Sequence, residues 1–153
     1  MDFESIEDIV AFAIGQEQEA AEFYRAATNQ ESIQVNKNVL MEYAEEEEKH
    51  EKMLKDFSFD KNAIGKYKFK QITDLKRSDY MMEMEYKTGM TYFEVMRIAM
   101  KKEEQAYKMY LDMAESTENE DQSNIFKILA QEELKHKNSL EVIYDDHLAK
   151  TGD

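Results

Sequence analysis

Two short runs of this chain place a carboxylate and an imidazole three residues apart, Glu47-Glu48-Lys49-His50 and Glu133-Leu134-Lys135-His136. On a helix that spacing puts both side chains on one face, a turn apart. The face is otherwise apolar. In the first run it reads Val39, Tyr43, Glu47, His50, Leu54, Phe57, and in the second Ile125, Leu129, Glu133, His136, Leu140, Ile143. The intervals of three and four residues are those of a stripe that packs into a core. A charged group there is costly unless something pairs with it. A divalent metal ion is one such partner. A lone Glu-x-x-His on an acidic helix is more often a solvated face, and a lone core histidine is more often a hydrogen-bonded structural residue.

An internal repeat decides between these readings. At a constant shift of 86 residues, Glu17 falls on Glu103, Tyr24 on Tyr110, Glu47 on Glu133 and His50 on His136, with no gap between them. Ala13/Ala99, Ala20/Ala106, Ala44/Ala130, Lys49/Lys135 and Leu54/Leu140 also match. The chain is therefore a duplicated helical hairpin. Glu17 lies within the stripe Ile6, Val10, Ala13, Glu17, Ala20, Tyr24, Ala27, and Glu103 within Tyr92, Met96, Ala99, Glu103, Ala106, Tyr110, Met113. Four carboxylates and two imidazoles thus fall on core stripes in matched pairs. Two divalent ions would carry four positive charges against four carboxylates, leaving a loaded cluster neutral. An oxygen-rich set with one imidazole per ion suits iron or manganese, and zinc is also accommodated. His147 stands outside the repeat and is expected at the surface.

The elements that must position these residues are helices. The 153 residues suit a single domain spanning 1–153, contain no Pro and only 4 Gly, and are rich in strong helix formers. Helix 1 is expected from an N-cap at Ser5, with Asp8 as a weak capping box, to about Asn29. Helix 2 should run from Ser32 to Phe57. Thr91-Tyr-Phe-Glu94 is a clean capping box for helix 3. Helix 4 should run from about Asp121 to Leu148, with a frayed tail. Between 58 and 90 the periodicity fails. That segment is expected to cross the bundle, with a short helix near Asp74–Met84 whose Met81, Met82 and Met84 cover apolar surface. The expected fold is all-α: a ferritin-like four-helix up-down bundle with a long crossover between helices 2 and 3.

Composition excludes several functions. A net charge of −14 repels the phosphates of nucleic acid, and no apolar run is long enough to span a membrane. The start, Met1-Asp-Phe-Glu-Ser, lacks the pattern of a signal peptide, so the expected location is cytoplasmic. With no Cys there is no disulfide, no thiolate chemistry and no rubredoxin-type iron site in this sequence.

At Glu17-Gln-Glu-Ala-Ala-Glu-Phe-Tyr24, Ala44-Glu-Glu-Glu-Glu-Lys-His50 and Ala99-Met-Lys-Lys-Glu-Glu-Gln-Ala-Tyr-Lys-Met-Tyr110 the chain resembles the rubrerythrin-like branch of the ferritin-like superfamily. The resemblance implies a di-iron site in which Glu17 and Glu103 are terminal ligands, Glu47 and Glu133 bridge, and His50 and His136 each hold one ion. It implies reduction of hydrogen peroxide or dioxygen, with Tyr24 and Tyr110 close to the site and assisting it. It also implies a homodimer. Rubrerythrins proper append a Cys₄ domain that supplies electrons; here an external electron-donor protein would do so. They also add a carboxylate one turn beyond the helix 3 ligand, where this chain has Ala106, and Ala20 in helix 1. The alternative that this leaves is iron binding and ferroxidation for iron handling, without peroxidase turnover.

Overall fold

The computed structural model describes residues 6–29, 37–57, 85–116, 118 and 120–151. It contains four helices: α1 (Ile6–Thr28), α2 (Lys37–Phe57), α3 (Tyr92–Ser116) and α4 (Glu120–Thr151). Among the described residues there is no strand, and the chain is all-α, a four-helix bundle consistent with the ferritin-like fold. The expected cap at Ser5, the start of helix 2 at Ser32, and the 58–84 part of the crossover with its Met81, Met82 and Met84 lie outside the described residues. Helix 4 is longer than expected at its C-terminal end, reaching Thr151, with Lys150 in the last turn where a cation complements the helix dipole.

The chain divides into two compact units, Met1–Tyr67 and Lys68–Asp153. In the first, α1 and α2 form a hairpin. The pairings run antiparallel: Glu17 is opposite His50, Gln18 opposite Glu51, and Tyr24 opposite Tyr43. Ala13, Ala21, Tyr24 and Ala27 of α1 and Leu40, Tyr43, Ala44 and Leu54 of α2 are buried. The small residues recur on the α1 stripe and let the two backbones approach. The aromatic pair Tyr24–Tyr43 then fills the gap edge-on, with ring centroids 5.7 Å apart. Thr28 ends α1 by turning its hydroxyl back to donate to the Arg25 carbonyl at 2.7 Å.

In the second unit α3 and α4 form the equivalent hairpin. The chain enters it through a turn at Gly89, whose φ of +93° is a conformation that a side chain would strain. The capping box then forms as its sequence requires. Thr91 Oγ1 accepts from the Glu94 amide at 3.2 Å, and Glu94 Oε1 accepts from the Thr91 amide at 3.2 Å. The Thr91 hydroxyl, donating to Glu94 Oε1 at 2.9 Å, and then the Thr91 amide lower the Glu94 carboxyl from its ordinary value. Val95, Met96, Ala99, Met100, Tyr110 and Met113 are buried on α3, and Ile125, Phe126, Leu129 and Leu140 on α4. Burying each Val, Met, Ile, Phe or Leu among these contributes roughly 1.5–3 kcal/mol. Tyr110 stacks on Phe126, Phe93 meets Tyr144 edge-on, and Arg97 Nε donates to the Tyr144 hydroxyl at 3.2 Å. His147 is partly exposed and packs against the rings of Tyr92 and Phe93 at the start of α3, with centroids 4.4 and 4.9 Å away.

Candidate metal centre

Each hairpin gathers its own donors. In the first, Glu17 comes from the middle of α1, and Glu47 and His50 come from successive turns of α2. All three are buried, with 2, 1 and 4 % of their surface exposed. His50 Nδ1 lies 3.5 Å from Glu17 Oε2 and 3.5 Å from Glu47 Oε2. One ligand atom from each of the three lies within 4.8 Å of the other two. The second hairpin repeats the arrangement with Glu103 on α3 and Glu133 and His136 on α4, again buried and again within 4.8 Å of one another. His136 Nδ1 is 3.6 Å from Glu103 Oε1. The six residues singled out by the repeat are therefore assembled, three in each hairpin.

The chain matches the family Rubrerythrin over residues 8–144. It belongs to the rubrerythrin family. No curated protein and no solved structure matches it.

The electrostatics of the first cluster show what an arriving metal ion would displace. Burial, then the neighbouring Glu47 charge, raise the Glu17 carboxyl from 4.5 to about 7. Burial alone would lower the His50 imidazole. The hydrogen bonds to Glu17 and Glu47 outweigh burial and lift it to about 10. Without metal, a proton on His50 Nδ1 holds the two carboxylates together. A metal ion ligated there needs the neutral imidazole, so loading expels that proton. Paired carboxylates with one imidazole are a donor set for a hard or borderline divalent ion, and this cluster could hold one.

Tyr24 and Tyr110 stand two helical turns beyond Glu17 and Glu103 and are fully buried, Tyr24 against Phe23 and Tyr43, Tyr110 against Phe126. Aromatic packing accounts for their burial.

Three buried charged residues beside the second cluster were not foreseen. Lys137 and Glu141, a helical turn apart on α4, are wholly buried and paired at 3.4 Å. Glu104, next to Glu103, is 1 % exposed and receives Lys108 at 2.9 Å and Lys101 at 3.4 Å. A signal for the α4 pair was present in the repeat. The positions equivalent to Lys137 and Glu141 are Glu51 and Lys55, the same pair with its charges exchanged. In the first hairpin that pair is partly exposed, Lys55 at 53 % and Glu51 at 19 %.

Among the described residues no helix is long and apolar enough to cross a membrane.

Proposed function

We propose that the chain is a di-iron oxidoreductase that reduces hydrogen peroxide, or dioxygen, with electrons from an external donor protein. One observation carries the reading: two buried clusters, each of two carboxylates and one imidazole, repeated in matched hairpins of a rubrerythrin family member. In this reading Glu17 and Glu103 would be terminal ligands, Glu47 and Glu133 would be shared by the two ions, and His50 and His136 would take one ion each. The donor set fits iron, with manganese or zinc as competitors. When bound, the two ions would supply one electron each to the oxidant.

The chain's own residues do the rest. The apolar stripes around the clusters exclude bulk water, which strengthens every charge interaction inside them. Reduction of one peroxide to two waters consumes two protons as well as two electrons. This reading gives Tyr24 and Tyr110 the role of assisting hydroxyls. A Cys-free sequence leaves the electrons to a separate protein. The family favours a homodimer, and the cytoplasm is the proposed location.

The second reading is ferroxidation or iron binding without turnover of a reducible substrate. It is favoured by Ala20 and Ala106, half-buried at the places where an additional carboxylate would make the centre unsymmetric. Sustained peroxide consumption by the iron-loaded protein with a chemical reductant distinguishes them. Many turnovers per chain support the peroxidase reading; a single burst equal to the bound iron supports the other.

A further inference from the structure

The two clusters share a ligand set but sit in different fields. Ala13–Tyr24 with Ala44–Lys55 in the first hairpin is matched, residue for residue, by Ala99–Tyr110 with Ala130–Glu141 in the second. The first pair of segments carries eight carboxylates against three lysines, a net charge of −5. The second carries five of each, a net charge of zero. The difference includes buried groups. Lys137, wholly enclosed and next to His136, occupies the position of Glu51, and Glu104 with Lys101 and Lys108 occupies that of Gln18, Gly15 and Glu22. A buried charge is poorly screened by salt and acts at longer range than an exposed one.

We infer that the first cluster (Glu17, Glu47, His50) takes up a divalent cation first and more tightly, and that Lys137, one helical turn beyond Glu133 on the same face of α4, makes the second cluster (Glu103, Glu133, His136) the weaker, later-filling one. This rests on the metal-binding reading of both clusters. In the second hairpin the carboxylates of Glu104 and Glu141 are already engaged by lysines, so they add little attraction for an arriving cation. Lys137 and Glu141 are positioning residues in this account and not ligands. They set the order in which the centre is assembled.

The test is calorimetric titration of the metal-free full chain with Mn(II) in low salt at one pH. Two steps separated by tenfold or more in affinity are expected. His136→Ala should keep the tighter step and His50→Ala should lose it. The charge exchange Lys137→Glu with Glu141→Lys, which restores the order found in the first hairpin, should narrow the separation several-fold. Should that buried exchange fail to fold, Lys108→Glu alters an exposed residue and should narrow the separation by a smaller factor that vanishes at high salt. Two equal steps, or a tighter step that survives His50→Ala and is lost in His136→Ala, overturn the inference while leaving the metal centre standing. So does a separation that neither charge variant moves. No binding at all overturns both the inference and the functional reading beneath it.

Discussion

Glu17→Gln should make the metal-free protein more stable near neutral pH, although it removes a buried charged residue that contacts a histidine. The folded carboxyl is raised from 4.5 to about 7, chiefly by burial. The folded state therefore keeps a proton that the unfolded chain releases. The stability contributed by this group is fully present below the unfolded value of 4.5 and is lost as pH rises through the folded value. A displacement of about 2.5 units corresponds to about 3 kcal/mol, nearly all of it lost between pH 4.5 and 7.5. His50, raised from 6.5 to about 10, has the same sign, and its contribution begins to fall only above 6.5. Gln is nearly isosteric with the protonated carboxyl, so parent and variant should have similar stability at pH 4.5. By pH 7.5 the variant should be ahead by about 3 kcal/mol, or ~6–12 °C in melting temperature for a chain of this size. Divalent metal should reverse the order, because it stabilises the parent by mass action and finds one ligand fewer in the variant. The assay is thermal and urea unfolding of both proteins across that range, first with chelator and then at fixed metal activity. A stability difference that does not change with pH, or a metal-free variant less stable than the parent at pH 7.5, would refute the reasoning.

Other expectations follow from the same coordinates. Replacing Glu47 or Glu133 with Ala should lower metal content at both positions, whereas His50→Ala or His136→Ala should mainly empty one; equal losses in all four variants, by elemental analysis, would remove the bridging assignment. Lys137→Met leaves Glu141 buried without its cation and should cost about 3–5 kcal/mol in urea unfolding, while Lys137→Met with Glu141→Leu should recover most of the loss. Thr91→Ala removes the acceptor for the Glu94 amide at the start of α3 and should cost about 1 kcal/mol, measurable as a lowered melting temperature.

The helices and the six donors were legible because two independent periodicities agree on them. The stripe intervals give the faces, and the shift of 86 residues gives the pairs, so Glu17 and Glu103 could be found without an adjacent histidine. Once a stripe face is buried, its polar members must meet, and here His50 meets Glu17 and Glu47 at 3.5 Å. The buried lysine was not legible from its own neighbourhood. Lys137 lies in a run of alternating polar residues, where an i,i+4 pair with Glu141 reads as a solvated salt bridge. Its burial depends on what packs over α4, and a single helix's pattern does not encode that. The ring contacts of His147 were likewise not legible in α4 alone, because Tyr92 and Phe93 of α3 supply them.

The central claim is that both clusters hold metal, and the ratio of metal to chain tests it most directly. Protein purified without air and saturated with Fe(II), then freed of excess ion, should carry two irons per chain by elemental analysis. The doubled variant Glu17→Gln with Glu103→Gln should carry markedly fewer while keeping its helical circular dichroism. Fewer than one iron per chain at saturation in the folded parent protein, or an unchanged ratio in the doubled variant, would contradict the account.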